Sequence, residues 1–243
     1  MLLTMETQPF SRIPRKPLTA EVYERLKQAI LSGAIPAGER LLEAHIAQGM
    51  QVSRAPVREA LRMLQADRLV EFQVGQGARV RLPADDELWE IYTARCVLEG
   101  FAASLAARRA RPGDLERLRE ALAGALEVAA QGDLQATLAA DFAFHRLVWE
   151  ISGHRLLREL LDRLEVQVRM FMAVQAPLFG HLPDSVRSHA EILEAITAGD
   201  PLAASRAIQQ HIIEAGLLSL RAGATHEEPD ASLLELDPRL LER

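Results

Sequence analysis

Apolar residues follow two different patterns along this chain, and the change comes near residue 84. Between residues 18 and 83 short helical patterns alternate with two short runs typical of strands, whereas apolar residues recur at helical spacing through most of 84–221. The pattern predicts a mainly α protein with an N-terminal domain over 18–83 and an antiparallel α-helical bundle over 84–221. Residues 1–17, which are polar and contain three prolines, are expected to form a flexible arm. Residues 222–243 are either a docked helix or a loose tail.

A short amphipathic helix is predicted from Ser53 onwards. Ser53 is a favourable N-cap, with its hydroxyl placed to accept from the backbone N–H of Ala55, and Pro56 is tolerated because the first turn has no hydrogen bond to lose. Apolar residues and arginines occupy different faces: Val57, Leu61 and Leu64 on one, Arg54, Arg58 and Arg62 on the other. The arginine face leaves guanidinium groups near a helix N-terminus, which itself favours anions.

The segments on either side of this helix indicate a winged helix-turn-helix. A short helix over Glu43 to Gln48 and a turn over 49–51 come before it, which is helix-turn-helix geometry. After it, residues 69–72 and 78–82 are typical of two strands around a glycine-containing turn, and such a hairpin forms a wing. A row of arginines alone is more often a solvated surface, but in this setting it predicts contact with a phosphodiester backbone.

A family resemblance is carried by five segments: Tyr23–Lys27, Ile30–Gly33, Pro36–Leu41, Val52–Leu61 and Gly75–Gly77. Together they resemble the GntR superfamily of bacterial transcription regulators. The resemblance implies that Arg40, Arg54 and Arg58 contact operator DNA. It also implies that Gly75 and Gln76 form a wing tip that enters the minor groove. Ser53, at the start of the arginine helix, is grouped with these DNA-binding residues.

Two positions depart from the family pattern. Gln51 stands where the turn usually has glycine, and Arg68 stands where a glycine usually ends the recognition helix. Each is therefore expected to adopt a left-handed backbone conformation at a cost of about 1 kcal/mol. Neither belongs to the arginine set, so the predicted DNA contact is unaffected.

Charge is divided unevenly between the two predicted domains. The whole chain is 49% hydrophobic and 26% charged, which is ordinary for a globular protein, and its net charge is −6. Residues 1–83 carry 12 Lys and Arg against 8 Asp and Glu, while residues 84–243 carry 16 against 26. The basic end is thus N-terminal, and the acidic remainder is expected to repel DNA and help orient the molecule.

The sequence predicts a cytoplasmic protein without a membrane partner. No apolar run approaches membrane-spanning length, and residues 1–10 lack the basic and apolar regions of an export signal. The single cysteine, Cys96, excludes an internal disulfide and fits a reducing compartment.

Helix ends are predicted from capping residues, glycines and prolines. The first helix is expected to begin at Leu18 with Thr19 as its cap and to end at Gly33, and Asp85 is expected to cap the first helix of the bundle. The bundle helices are predicted near 86–110, 113–131, 133–151, 155–178, 184–198 and 200–221.

One group of residues in the bundle is predicted to bind metal. Asp141 and His145 are four residues apart on one helix, and His189 and His211 lie on or beside apolar stripes of two later helices. Each histidine taken singly is more often a hydrogen-bonded core residue than a ligand. Together, however, one carboxylate and three imidazoles form a standard ligand set for zinc and related divalent metals.

These four positions resemble the ligand pattern of the metal-binding, ligand-sensing FCD domain found in the FadR-like branch of the superfamily. The resemblance covers residues 86–221, and His154 departs from it by replacing a common Asn. It implies a small carboxylate effector bound at an open metal position, with zinc as the foremost metal and nickel or manganese as alternatives. Arg95 matches a pocket arginine that can bind a second carboxylate; alternatively it pairs with Glu99 on the surface.

The interpretation is a bacterial transcription regulator, most simply a homodimeric repressor that binds a palindromic operator and responds to a small carboxylate. Two alternatives remain beside it. A metal-sensing regulator needs no organic effector, and a metal-dependent hydrolase needs an open metal position and a general base. No carboxylate is placed by spacing as that base. A purely structural metal is distinguished by unfolding on chelation.

Overall fold

The structure is a computed structural model of the 243-residue chain, and it describes residues 18–73, 75, 77–82, 84–174 and 182–223. The predicted arm over 1–17 and most of the predicted tail lie outside these ranges. The chain divides into two compact units between Arg81 and Leu82. None of the helices in the described ranges is long and apolar enough to cross a membrane.

The first unit consists of three helices and a small antiparallel sheet. Its elements are α1 (Leu18–Leu31), β1 (Arg40–Leu41), α2 (Glu43–Gly49), α3 (Arg54–Ala66), β2 (Val70–Gln73) and β3 (Gly77–Val80). The sheet has the order β1-β3-β2, with Arg40 opposite Arg79 and Phe72 opposite Ala78. The winged helix-turn-helix architecture is therefore present, and β1 adds a strand too short to leave an alternating pattern in the sequence.

The apolar stripes predicted for α1 and α3 form the core of this unit. Val22, Leu26 and Ile30 of α1 are buried, and so are Val57, Leu61 and Leu64 of α3. Because α1 begins at Leu18, Thr19 lies inside the helix and the prediction that it caps α1 is wrong. The left-handed conformation predicted for two non-glycine residues is confirmed, with φ of 55° at Gln51 and 59° at Arg68.

The second unit is a bundle of helices. Its elements are α4 (Asp85–Arg109), α5 (Pro112–Ala130), α6 (Leu134–Ile151), α7 (Arg155–Val174), α8 (Leu182–Ser185), a 3₁₀ turn (Val186–Ser188), α9 (His189–Ala198) and α10 (Pro201–Gly223). Large aromatic residues of α6 and α7, among them Phe142, Trp149 and Phe171, are buried in its core. The N-cap of α4 is Ala84, so Asp85 is the first helical residue and not the predicted cap.

One predicted helix of the bundle is divided. The sequence predicts a continuous helix over 184–198, but the chain forms α8, then the 3₁₀ turn, then α9. The Ser188 hydroxyl donates to the carbonyl oxygen of Ser185 (2.7 Å) in this turn. Serine side chains that bond to nearby backbone groups compete with regular helix, which accounts for the break. The break places His189 at the first position of α9.

Candidate metal centre and DNA-binding surface

The recognition helix α3 begins directly after Ser53. Ser53 occupies the N-cap position with an extended backbone, but its side chain makes no capping hydrogen bond, so the predicted bond to Ala55 is wrong. Its hydroxyl is exposed at the start of the helix, next to the exposed side chain of Arg54. The first turn of α3 thus presents a free hydroxyl and a guanidinium group, both suited to phosphate or base edges.

Arg58 is exposed but is bound by a carboxylate. Its Nε lies 3.0 and 3.2 Å from the two carboxylate oxygens of Glu43, and its Nη2 lies 2.8 Å from Oε2. Hydrogen bonding to Arg58 lowers the pKa of the Glu43 carboxyl, which keeps that group charged. Arg62 likewise pairs with Glu59 at 3.2 Å. The predicted row of arginines is therefore exposed, and two of its members carry acidic partners.

The other predicted DNA-binding residues lie around the sheet. Arg40 is an exposed residue of β1, next to β3. Gly75, between β2 and β3, has a φ of +75°, a conformation that glycine adopts without strain. Gln76 lies outside the described residues. The structure thus places Arg40 at one edge of the sheet and Gly75 at the tip of the hairpin.

The four predicted metal ligands are brought together by three helices. Asp141 and His145 come from α6, His189 from α9 and His211 from α10. One ligand atom from each lies within 4.8 Å of all the others, and the four side chains are at most 8% exposed. They form a single buried cluster, called here the Asp-His₃ cluster.

The imidazole Nε2 atoms point toward one another. The His211 Nε2 lies 3.1 Å from that of His145 and 3.2 Å from that of His189, while the His189 Nε2 lies 3.3 Å from Asp141 Oδ1. Four zinc ligands at the usual bond length of about 2.0–2.1 Å in tetrahedral geometry are about 3.3 Å apart. Three of the distances match this value, and the fourth, from His145 Nε2 to Asp141 Oδ2, is longer at 4.0 Å, so the four side chains surround a space of the size that one cation needs.

Two of the histidines have a hydrogen-bond partner on the far side of the ring. His145 Nδ1 lies 2.6 Å from Glu99 Oε2, and His211 Nδ1 lies 2.7 Å from the Ser188 hydroxyl. Because the Ser188 proton is given to the Ser185 carbonyl, its oxygen accepts from His211. The acceptors on the far side of both rings favour the tautomer with the proton on Nδ1, in which the Nε2 lone pair faces the cluster and is available to a metal.

Two further polar atoms of the cluster residues lack a hydrogen-bond partner among the described residues, and one of them, Asp141 Oδ1, faces the cluster. Asp141 Oδ1 is buried without a hydrogen bond among the described residues, as is His189 Nδ1, whose ring stacks on Phe144 at 4.5 Å. Burial raises the pKa of Asp141 and lowers the pKa values of His189 and His211 well below the usual range. Neutral imidazoles and an unsatisfied buried carboxylate oxygen are the donor set that a divalent cation stabilises.

Arg95 is buried, and it binds Glu99 through a 2.8 Å contact between Nε and Oε1. The alternative prediction pairs Arg95 with Glu99 on the surface. The pair is present, but it is buried, so only its predicted exposure is wrong. Arg95 also lines a small pocket of about 20 Å³, which has room for about one water molecule. Asp141 and His211 of the cluster line the same pocket, so a guanidinium group and two of the predicted metal ligands face one space.

Sequence reasoning missed the role of Glu99. This α4 carboxylate is fully buried and accepts hydrogen bonds from His145, Arg95 and Trp149. The bond from the indole Nε1 of Trp149 to Oε2 is 2.9 Å long. Burial alone raises the pKa of Glu99, but His145 and Arg95 outweigh it and lower the pKa to about 2. The only sequence signal was its position four residues after Arg95.

Two further histidines of the described residues, His45 and His154, are not members of the Asp-His₃ cluster. His45 is exposed on α2, whereas His181 and His226 lie outside the described residues. His154, the residue in place of the common Asn, accepts a hydrogen bond from the backbone N–H of Leu157 through Nδ1 (3.2 Å). His154 therefore caps the start of α7, a role in which Asn is also favourable.

Comparison with known proteins agrees with both units. Residues 18–80 match the family described as bacterial regulatory proteins, gntR family, and residues 90–214 match the FCD domain. A probable D-xylose utilization operon transcriptional repressor from Paenarthrobacter nicotinovorans is 33% identical over 201 residues, which are 83% of this chain and 88% of that protein.

Solved structures show the same architecture. A putative GntR transcriptional regulator from Rhodococcus sp. RHA1 has a TM-score of 0.71 at 30% identity and covers 86% of this chain and 99% of its own. The E. coli protein McbR/YncC has a TM-score of 0.70 at 25% identity, with coverages of 81% and 94%. The predicted family and fold class are thereby confirmed. The chain belongs to the GntR family of bacterial regulatory proteins, carries an FCD domain, and is a DNA-binding transcription regulator rather than an enzyme.

Proposed function

We propose that this regulator is a metal-dependent repressor whose affinity for operator DNA is set by a small carboxylate. One divalent cation, zinc in the first instance, is held by Asp141, His145, His189 and His211. The observation that carries the proposal is the convergence of one Asp141 oxygen and three imidazole nitrogens, which all lie within 4.8 Å of one another in the buried interior. Nickel and manganese are the alternative metals, and the bound cation supplies an open position for an oxygen ligand.

The effector is assigned to the pocket beside the cluster. Arg95 offers a charged guanidinium there, and Asp141 and His211 connect the pocket to the cation. A carboxylate that reaches both the cation and Arg95 satisfies two positive groups at once. This arrangement favours an organic effector over a regulator that senses metal alone, because the latter has no need of a cationic pocket.

DNA binding is assigned to the predicted domain over residues 18–83, which the first unit contains up to Arg81. Arg54 and Arg58 of α3 are proposed to read the major groove with Ser53 beside them, Arg40 to contact phosphate, and Gly75 with Gln76 to enter the minor groove. A single winged helix covers one half-site, so we propose a homodimer on a palindromic operator. Light scattering of the free and the operator-bound protein tests this stoichiometry.

The metal and effector assignment is tested by metal analysis and thermal unfolding. We expect about one divalent ion per chain in the purified protein and a higher Tm when a small carboxylate is added to the zinc-loaded form. The panel consists of acetate, lactate, succinate and citrate, with glycerol as an uncharged control. Absence of metal, or stabilisation that is equal for glycerol and the carboxylates, contradicts the proposal.

A further inference from the structure

Glu99 is the one buried carboxylate among the described residues that contacts both a cluster histidine and the pocket arginine. Oε2 accepts from His145 Nδ1 at 2.6 Å and from Trp149 Nε1 at 2.9 Å, while Oε1 accepts from Arg95 Nε at 2.8 Å. Its side chain is fully buried. The three donors come from α4 itself and from α6, so the carboxylate has no freedom to turn away from any of them.

We infer that Glu99 is a positioning residue that prepares His145 for the metal and, with its other oxygen, fixes Arg95 in the effector pocket. The inference rests on the proposed metal centre and deepens it, since it names the residue through which the metal ligand and the effector cation are held together. Glu99 itself contacts neither metal nor effector.

The effect on His145 follows from the tautomer. An imidazole that donates its Nδ1–H to a carboxylate keeps a lone pair on Nε2, the atom that faces His211 and Asp141. The opposite tautomer would direct a proton into the cluster and block the metal bond. Partners that fix a histidine ligand in this way typically contribute about 10–100-fold to metal affinity.

The effect on Arg95 follows from the direction of its side chain. Its guanidinium carbon lies 5.0 Å from the Phe142 ring centroid and 5.4 Å from that of Tyr92. Glu99 draws Nε toward α4, so the guanidinium group stays between these two rings and along the pocket wall. A cation held in this way is oriented for a carboxylate before one arrives.

The two members of the Arg95–Glu99 pair are therefore expected to affect metal affinity in opposite directions. Loss of Glu99 releases the His145 tautomer and leaves a buried positive charge near the cluster, and both changes disfavour a bound cation. Loss of Arg95 removes a positive charge and leaves the Glu99–His145 bond in place. A merely structural role of the pair predicts the same direction for both substitutions.

The first experiment measures zinc affinity by competition with a chromophoric chelator. Glu99→Gln is expected to weaken zinc binding about 10–100-fold, whereas Arg95→Met is expected to leave it unchanged or tighter. Glu165→Gln is the matched control, because Glu165 is also buried and is ion-paired with Arg146 and Arg169 instead of a cluster histidine. If Glu99→Gln retains wild-type affinity, or if Arg95→Met weakens binding as much as Glu99→Gln, the inference is wrong.

The second experiment reads the tautomer directly in the metal-free protein. Long-range ¹⁵N–¹H correlation spectra, assigned with His145→Ala, are expected to show His145 protonated on Nδ1 in the wild type and a shift toward Nε2 protonation in Glu99→Gln. Should the single variant fail to fold with Arg95 unpaired, Arg95→Met/Glu99→Gln removes both charges and is expected to show the same tautomer shift and weaker zinc binding.

The outcomes separate this inference from the proposed metal centre. A wild type that binds no zinc overturns the metal centre, whereas zinc binding that is insensitive to Glu99→Gln overturns only the role of Glu99. A His145 ring that keeps its Nδ1 proton in both Glu99 variants overturns that role whether or not zinc binds.

Discussion

Arg58 of the recognition helix and Glu43 of the preceding helix form a two-armed ion pair across the helix-turn-helix. The carboxylate occupies the Nε edge of the guanidinium group and one hydrogen of Nη2. The Nη1 group and the outer hydrogen of Nη2 form the opposite edge, which has the spacing needed for two acceptors of a guanine. Glu43 therefore fixes the direction of the Arg58 guanidinium group, and the edge that Glu43 does not bind points away from Glu43.

The first prediction concerns Arg58→Ala. Loss of a base-reading arginine is expected to cost about 1–3 kcal/mol per half-site and to abolish discrimination of the operator from scrambled DNA. Fluorescence anisotropy with both DNAs measures it. Arg62→Ala is the control, since Arg62 lies one helical turn farther from the N-terminus of α3 and pairs with Glu59. Unchanged operator affinity in Arg58→Ala excludes base reading by this residue.

The second prediction concerns Glu43→Gln. A released Arg58 can reach phosphates as well as bases, and a repulsive carboxylate is lost from the same surface. We therefore expect tighter binding to scrambled DNA and a smaller ratio between operator and scrambled affinities. Glu59→Gln is the control, because it removes a carboxylate from α3 that is hydrogen-bonded to Arg62 and not to Arg58. If both variants change the ratio equally, the orientation of Arg58 does not depend on Glu43.

The third prediction concerns His189→Ala. Removal of one of four ligands is expected to lower zinc affinity by more than about 100-fold. Residues that only hydrogen-bond a ligand, such as Glu99, typically contribute less than that. Chelator competition measures this, with the exposed His45→Ala as the control. Chelation of the wild type is expected to lower the Tm of the second unit without abolishing operator binding by the first. Complete unfolding on chelation would instead indicate a purely structural metal.

The fourth prediction concerns Arg95→Met and the effector. Because Arg95 is assigned to the carboxylate and not to the cation, the variant is expected to keep its zinc and lose the rise in Tm that a small carboxylate gives to the wild type. Thermal unfolding with and without the carboxylate, on protein of known zinc content, measures both. A variant that responds like the wild type removes Arg95 from the effector site.

The spacing of residues along each helix predicted which side chains share a helix face, because that depends only on nearby positions in the sequence. The four-residue spacing of Asp141 and His145 placed both on one face of α6, and the stripe of Val57, Leu61 and Leu64 gave the buried face of α3. Family resemblance, rather than spacing, joined His189 and His211 to that pair.

Contacts between distant segments could not be predicted in this way. Glu43 lies 15 residues before Arg58, and Glu99 lies 46 residues before His145, so no local periodicity relates either pair. A glutamate in a helix is usually exposed, and nothing near Glu99 in the sequence indicates that three donors surround it. The 3₁₀ turn before α9 was not predicted, because it depends on one hydrogen bond from the Ser188 hydroxyl to the backbone carbonyl of Ser185.

The carboxylate site and the operator site are expected to be coupled. Isothermal titration of the zinc-loaded protein with the carboxylate that raises its Tm most, without and with saturating operator DNA, measures this directly. Coupling between distinct sites is typically about 1–3 kcal/mol and must be reciprocal. For a repressor released by its effector, we expect carboxylate affinity to fall about 5–150-fold when operator is bound. Equal affinity in the two titrations would show that the carboxylate does not regulate DNA binding by this protein.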